Sequence, residues 1–344
     1  MAAEKETVMT ARNLAIGYRR GKKAERTVLE NLNFTLTTGE LTCLLGANGA
    51  GKSTLLRTLS ASQPPLDGNL MLKGRPLNAY SEKELSTLIG VVLTDKTQAG
   101  GLTVYELVAL GRQPHTGFFG RLHKHDRELI DQALTQVGIT HKTNSYTAEL
   151  SDGERQKVMI AKALVQESPL IILDEPTAFL DVASRIEIMT LLHQLATEDN
   201  KAILLSTHDV EQALVLADRL WLMTDDNLEC GVTEDLILNN EMDDLFGRKG
   251  ISFDHAHGVY YPIVKGKEQI QVRAKDETLL HWTVNALNRH GFACHIFLNK
   301  EDLNKDIPTI ETLSPHNIVY TSIREEKKQF LSFEETLEYL KYSN

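Results

Sequence analysis

A glycine-rich loop, GANGAGKST at residues 46–54, is the feature that most constrains the fold of this 344-residue chain. It follows an apolar run, LTCLLG, and precedes a segment with helical periodicity, KSTLLRTLSA. The spacing fits G-x-x-x-x-G-K-[ST], in which glycines let backbone amides point at phosphates and a helix N-terminus adds positive potential. Lys52 would supply a point charge and Ser53 a hydroxyl for Mg²⁺. The sequence therefore predicts a nucleotide phosphate site where a strand turns into a helix.

Two acids stand at the tip of a second apolar run, PLIILDEP. Because α/β sheets bind ligands at the carboxyl ends of their strands, we expect Asp174 to hold Mg²⁺ and Glu175 to orient and polarise an attacking water. His208 follows a further apolar run, KAILLSTHD, where a lone histidine is more often structural than catalytic. Tyr18, in LAIGYRR, is either a core or edge aromatic or, if it comes close to the loop, an adenine platform.

The stretch LSDGERQ, residues 150–156, contains an S-x-x-E capping box formed by Ser151 and Glu154. A capping box predicts the start of a helix, here ERQKVMIAKALVQ. A capped helix start with serine and glycine is also an anion site when it lies beside a nucleotide.

The pattern along the chain predicts an α/β protein. PLIILDEP and KAILLSTHD lack alternation, as is typical of parallel strands buried on both faces. Residues 101 to about 166 are mainly helical in pattern, with a capping box at Thr103 and Glu106 and a helix that Gly138 stops. After residue 265 the chain becomes a compact α+β segment of strand, helix, two strands and a helix.

The composition argues against several classes of function. Acidic residues outnumber basic ones, 47 to 37, so no broad positive field is available to collect nucleic acid. The three cysteines, Cys43, Cys230 and Cys294, are widely spaced and predict no disulfide framework, which fits a reducing cytoplasm. No signal peptide and no apolar run of about 20 residues is present, so any membrane role would come from a partner.

With Lys52, LSDGERQ, LDEP and His208 in this order, the sequence resembles the ATP-binding subunits of ABC transporters from residue 6 to about 264. The resemblance implies a P-loop NTPase core with antiparallel β and helical subdomains at residues 1–264, the helical one at about 101–166. Residues 265–344 would be a small C-terminal α+β extension. It also implies ATP and Mg²⁺ as cofactors and ATP hydrolysis as the activity.

The resemblance gives each motif a role. Residues 46–54 would be the Walker A loop, and Asp174 would be the Walker B acid. Glu175 would be the catalytic carboxylate, and His208 would be the switch histidine that contacts the γ-phosphate. Leu180 and Asp181 would form the D-loop. The catalytic residues would be Lys52, Glu175 and His208. The metal would be held by Ser53, Asp174 and Thr94. The nucleotide would contact Tyr18, Gly46, Asn48, Gly49, Ala50, Gly51, Lys52, Ser53, Thr54, Ser151, Gly153 and Asp181.

The sequence departs from the family pattern at two places. Asp152 and Glu154 stand where the family signature has glycine and glutamine. Thr94, with Asp95 and Gln98 nearby, stands where the Q-loop glutamine is expected, so metal coordination and coupling to the membrane subunits are in question there. Two carboxylates close to one phosphate would repel it. We therefore expect Glu154 to turn back onto its own helix and Asp152 to point away from the nucleotide.

The family also implies partners. The signature of one subunit closes over ATP on the Walker A loop of another, so a homodimer, or a heterodimer with a paralogue, is expected. Two transmembrane permease subunits and, indirectly, a substrate-binding protein would complete the assembly on the inner face of the plasma membrane, with no nucleic acid.

TVYELVALGRQPHTGFFGRL is most similar to importers of iron siderophores, haem and cobalamin. A non-transport ABC ATPase and an ATP-dependent regulatory module are the alternatives. For residues 265–344, a regulatory or dimerising role and a packing appendage both remain open.

Overall fold

The structure is a computed structural model, and it describes residues 5–20, 24–93, 101–116, 120–243, 245–246, 250–263, 266, 268–297 and 303–342. The chain divides into two compact units, residues 1–248 with 253–259 and residues 249–252 with 260–344.

An antiparallel sheet opens the first unit. β1 (Thr7–Arg20) pairs with β2 (Ala24–Thr37) on one side and with β4 (Asp67–Leu72) on the other, and β4 pairs with β5 (Arg75–Pro76). Leucine and isoleucine side chains of β1 and β2 are buried in one hydrophobic cluster. This sheet carries Tyr18 near the end of β1.

A mainly parallel sheet forms the centre of the first unit. Its strands are β3 (Glu40–Gly46), β6 (Ile89–Val92), β7 (Leu170–Asp174), β8 (Ala202–Ser206), β9 (Arg219–Met223) and β10 (Leu228–Val232). They lie in the order β10-β9-β3-β8-β7-β6, and only β9 and β10 are antiparallel neighbours. Both faces of β8 are buried, which explains its continuous apolar sequence. The carboxyl ends of β3, β7 and β8 therefore share one edge.

Helices pack around this sheet. They are α1 (Lys52–Leu59), α2 (Glu82–Leu88), α6 (Val182–Thr197), α7 (Val210–Leu216) and α8 (Thr233–Leu238). Leucines of α1 are buried with Phe34 and Trp221, whose ring centroids are 4.4 Å apart. The apolar face of α1 thus fixes the loop that precedes it.

The predicted helical region contains α3 (Val104–Ala109), α4 (Lys124–Gln136) and α5 (Asp152–Leu164). The capping box at Thr103 and Glu106 is formed, as predicted, and Gly138 has φ +71° just after α4. Arg112 is buried between these helices. It donates to Asp126 Oδ1 at 2.8 Å and to the carbonyl oxygen of Val165 at 2.6 Å, so it ties α4 to the end of α5.

At the division of the units, β11 (Ile251–Asp254) pairs with β12 (Val259–Pro262). The second unit then contains β13 (Glu268–Ala274), α9 (Glu277–Arg289), β14 (Phe292–Ile296), β15 (Thr309–Ser314), β16 (Asn317–Thr321), β17 (Lys327–Phe330) and α10 (Phe333–Tyr342). The strand order is β14-β13-β15-β16-β17, with β13 parallel to both neighbours. Its core, which includes Ile270, Val272, Leu287 and Ile318, lies within the unit.

The predicted α/β class is confirmed, and so are the parallel strands β7 and β8. In the second unit the predicted β13, α9, β14, β16 and α10 are present, but the sequence prediction omitted β15 and β17. None of the helices in the described ranges combines the length and apolarity that a membrane crossing requires.

Candidate nucleotide site

Glycines allow the loop of residues 46–51 to lie close to its surroundings. A Cβ on Gly46, at the end of β3, would lie 2.4 Å from the carbonyl oxygen of Met223. Gly51 has φ +113°, and a Cβ there would lie 2.5 Å from Val28 Cγ1. Only glycine fits both positions without strain or collision. Asn48 and Gly49 are exposed and Ala50 is buried, so the middle of the loop faces solvent.

Lys52 folds back over the loop. Its Nζ donates to the carbonyl oxygen of Gly46 at 2.7 Å and to that of Ala47 at 3.1 Å. Burial lowers the pKa of Lys52, while the nearby carboxylates of Glu175 and Asp174 act in the opposite direction. The lysine is thus close enough to both acids for their charges to affect it.

Tyr18 lies against the first turn of α1. Its hydroxyl and Thr54 Oγ1 are 2.5 Å apart, and 40% of the residue is exposed. The condition set by the sequence, that Tyr18 come close to the loop, is therefore met. Ser53 is exposed and lines a cavity together with Asp174, so the hydroxyl and the carboxylate predicted to hold Mg²⁺ face common space.

The two acids at the end of β7 make different contacts. Asp174 Oδ1 accepts a hydrogen bond from Ser206 Oγ at 2.7 Å. Glu175 Oε1 lies 2.8 Å from Nε2 of His208, and both side chains are partly exposed. The carboxyl ends of β7 and β8 therefore bring Asp174, Glu175 and His208 together. His208, which was ambiguous as a single residue, contacts the acid predicted to be catalytic.

The start of α5 has the predicted capping box. Ser151 Oγ accepts from the Glu154 amide at 3.3 Å, and the Ser151 amide donates to Glu154 Oε2 at 2.9 Å, which lowers the pKa of Glu154. Lys142 Nζ lies 3.5 Å from the other carboxylate oxygen. The prediction that Glu154 turns back onto its own helix is confirmed. Asp152 pairs with Arg155 at 3.2 Å, while its direction relative to a nucleotide stays a prediction.

Asp181 caps α6. Its Oδ1 accepts from the Ser184 amide at 2.7 Å, and this bond lowers the pKa of Asp181. The same turn lies beside the start of α5, since a Cβ on Gly153 would be 3.2 Å from Ser184 Oγ. Ser151, Gly153 and Asp181 thus belong to two adjoining helix N-termini.

Comparison with known proteins identifies the family. A family model described as ABC transporter matches residues 29–178. MJ0873, an ABC transporter ATP-binding protein of Methanocaldococcus jannaschii, is 37% identical over 254 residues, which cover 74% of this chain and 86% of the relative. The chain belongs to the ABC transporter ATP-binding proteins.

Other members of the ABC family give a similar match. The ferric enterobactin transport ATP-binding protein FepC of Escherichia coli is 35% identical over 70% of this chain and 88% of its own length. The iron(3+)-hydroxamate import ATP-binding protein FhuC of Bacillus subtilis is 38% identical over 60% and 74%. A dimeric structure of the ATP-binding cassette MJ0796 with ADP and Pi has a TM-score of 0.57 and 27% identity, covering 65% of this chain and 98% of that one. The P-loop NTPase fold of the ABC cassette is thereby confirmed.

Thr94, Asp95 and Gln98, the candidates at the Q-loop, lie outside the described residues. Ser206, by contrast, lies in the described residues and contacts Asp174. The sequence interpretation did not single it out. The only sequence signal for it was a polar residue at the end of a buried strand, directly before Thr207 and His208.

Proposed function

We propose that this chain binds and hydrolyses ATP as the motor subunit of an ABC importer for an iron chelate. The observation that carries the proposal is the meeting of Glu175 and His208 at the carboxyl edge of the sheet that also presents the lysine loop. Residues 1–264 would form the ATP-binding domain and residues 265–344 an extension with its own core.

The loop and Tyr18 would hold the nucleotide. Loop amides and the Lys52 ammonium would contact the β- and γ-phosphates, because a glycine-rich loop before a helix concentrates donors and positive potential there. Tyr18, fixed by its hydrogen bond to Thr54, would offer a ring face to adenine.

The residues around Ser53 fit a magnesium ion. Mg²⁺ prefers hard oxygen ligands, and Ser53 Oγ with the carboxylate of Asp174 would provide them beside the phosphates. When bound, the ion would neutralise charge on the β- and γ-phosphates. Thr94 would be a further oxygen ligand.

Glu175 would orient the water that attacks the γ-phosphate and polarise it by accepting a hydrogen bond. His208 Nε2 lies 2.8 Å from Oε1 of this carboxylate, and that contact limits the directions that the carboxylate can take. In the nucleotide-bound state His208 would contact the γ-phosphate.

The second half of each site would come from another cassette. Ser151, Gly153 and Asp181 lie at helix N-termini, which suit the phosphate end of a nucleotide held by a partner. The MJ0796 dimer supports a homodimer as the simplest assembly, and a heterodimer with a paralogue is the alternative. Two permease subunits would anchor the dimer at the inner face of the membrane and receive cargo from a binding protein.

Iron chelate is the cargo that the relatives favour, since the names of FepC and FhuC refer to ferric enterobactin and iron(3+)-hydroxamate. Haem and cobalamin are the alternatives from the sequence. Uptake of radioactive iron as a siderophore chelate, in cells whose only copy of the chain carries Glu175→Gln, tests the cargo. Normal iron uptake with impaired cobalamin uptake would assign it to cobalamin instead.

Phosphate release from the purified full chain tests the chemistry. Glu175→Gln should lower kcat by about 100-fold or more, because a carboxylate acting on the attacking water contributes about 10²–10⁴-fold. Lys52→Ala should weaken ATP binding in calorimetry. Ser168→Ala is the matched control, since Ser168 is buried in the same unit and its hydroxyl makes no hydrogen bond to any residue that the structure describes. Hydrolysis by Glu175→Gln at the rate of Ser168→Ala would refute the assignment.

A further inference from the structure

The hydroxyl of Ser206 joins the backbone of Glu175 to the side chain of Asp174. Ser206 Oγ donates to Asp174 Oδ1 at 2.7 Å and accepts from the Glu175 amide at 2.9 Å. Ser206 is fully buried, and it is the direct register partner of Asp174 across β7 and β8. A hydroxyl has one proton to donate, and that proton goes to Asp174 while an oxygen lone pair receives the amide.

The backbone of Glu175 needs such support. Its φ is +48°, in the left-handed region that non-glycine residues rarely adopt. It also precedes Pro176, and a residue before proline is sterically pushed towards extended conformations. Backbone of this kind persists only where surrounding contacts over-determine it, and it is concentrated at functional sites. Ser206 supplies such contacts, because the Glu175 amide also donates to the Ser206 carbonyl oxygen at 3.2 Å.

The direction of the Glu175 side chain depends on this backbone. The left-handed turn at Glu175 leaves its carboxylate 2.8 Å from His208 Nε2, while Asp174, one residue earlier, is held by the same serine oxygen. A single buried atom on β8 therefore fixes the spacing between the acid that would bind the metal and the acid that would direct the water.

We propose that Ser206 is a positioning residue for ATP hydrolysis, which sets the relative placement of Asp174 and Glu175. This inference rests on the proposed function. It assigns Ser206 no contact with nucleotide, metal or water. Removing its hydroxyl should therefore reduce turnover and the response to Mg²⁺, while nucleotide binding by the Lys52 loop stays intact.

Variants at position 206 that differ only in the hydroxyl test the proposal. Ser206→Thr and Ser206→Val have nearly the same volume, so any cost of the added methyl group in this buried site is common to both. Ser206→Ala removes the hydroxyl without adding volume, and Ser168→Ala again serves as the control for losing a buried serine hydroxyl. For each full-length variant, kcat, the Mg²⁺ concentration at half-maximal rate, the melting temperature, and ATP affinity in EDTA are measured.

We expect kcat of Ser206→Val to be about 10- to 100-fold below that of Ser206→Thr, the usual cost of losing a hydrogen-bond partner behind a metal ligand. Ser206→Ala should show a similar loss relative to Ser168→Ala and need more Mg²⁺, with ATP affinity in EDTA within about twofold of the unsubstituted chain. Equal kcat for the threonine and valine variants would overturn the proposal. So would a parallel fall of kcat and ATP affinity, which indicates a general structural role.

The unsubstituted chain and Glu175→Gln distinguish a failure of the proposed function from a failure of the role assigned to Ser206. If the unsubstituted chain releases no phosphate, or if Glu175→Gln releases it normally, the proposed function fails and the assignment of Ser206 fails with it. If Glu175→Gln is inactive and Ser206→Ala matches Ser168→Ala, the function stands and only the assignment of Ser206 is wrong.

Discussion

Replacing Asp126 should destabilise the first unit, because its carboxylate belongs to a buried ion pair. The carboxylate uses both oxygens: Oδ1 accepts from Arg112 Nε at 2.8 Å and Oδ2 accepts from the His123 amide at 2.8 Å. The Arg112 and Asp126 side chains are only 4% and 8% exposed. Breaking a buried ion pair from one side costs about 3–5 kcal/mol, because the remaining charge stays buried.

The other contacts of Arg112 place the expected loss of unfolding free energy at the low end of that range. Its second nitrogen keeps the carbonyl oxygen of Val165 and the carboxylate of Glu167 as acceptors. We therefore expect Asp126→Asn to lower the free energy of unfolding by about 3 kcal/mol, because the asparagine amide has only one oxygen to accept from the two donors. Asp126→Ala should lower the free energy of unfolding by about 1 kcal/mol more, because the hydrogen bond from the His123 amide is lost as well. Glu167→Gln should cost no more than about 1 kcal/mol, because that side chain is 44% exposed.

Urea unfolding measures these differences. The chain has two tryptophans, and a Trp282→Phe background leaves Trp221, fully buried in the first unit, as the fluorescent probe. The cost of Asp126→Asn should also depend on pH. The His123 amide, and then Arg112, lower the pKa of Asp126, so the charged form stabilises the fold above its unfolded pKa of about 4. That stabilisation is lost as the pH falls through the folded value.

Two results would refute this reasoning. The first is a cost for Asp126→Asn equal to that of Glu167→Gln. The second is a cost that stays constant from pH 7 down to pH 3.

Three further outcomes are expected. Gly51→Ala should lower both melting temperature and ATP affinity, since its Cβ would lie 2.5 Å from Val28 Cγ1 at φ +113°; unchanged calorimetry would contradict this. The Glu84 carboxyl, whose pKa the Ser81 amide and hydroxyl lower to about 2, should titrate near that value by NMR, so its stabilising contribution disappears only as pH falls below about 4. Ser81→Ala should raise that pKa, and no change would contradict the assigned cause. Ser151→Ala should cost about 1 kcal/mol in urea unfolding through loss of the cap on α5, a cost that Ser151→Asp should not show.

Local chemistry explains what the sequence predicted well. Capping boxes such as that of Ser151 and Glu154 involve residues three positions apart, so their geometry follows from sequence spacing. The loop of residues 46–54 needs glycine wherever backbone or side chains crowd it, and the pattern records this directly. The order of such motifs along the chain also predicted the family.

Contacts between distant segments explain what the sequence left out. Ser206 and Asp174 are 32 residues apart along the chain, and they meet because β7 and β8 pair in the register that places them opposite each other. The sequence of β17, KKQF, is typical of a charged loop. It forms an edge strand of the sheet, where lysines protect the exposed backbone from pairing with another chain. In β15, Thr312 is buried and Leu313 is 40% exposed, so its polar and apolar residues do not follow the pattern that its place between β13 and β16 would suggest.

The carbonyl oxygens of Gly46 and Ala47 have a consequence for how a phosphate would enter the loop. They already immobilise the Lys52 ammonium, so side-chain entropy of up to about 2 kcal/mol is lost during folding and not during binding. Binding would then be an exchange, in which phosphate oxygens replace carbonyl oxygens around a charge that hardly moves. The affinity for nucleotide would depend on how firmly these carbonyl oxygens hold the lysine, and a loop that held it less tightly would bind phosphate with a larger entropic penalty.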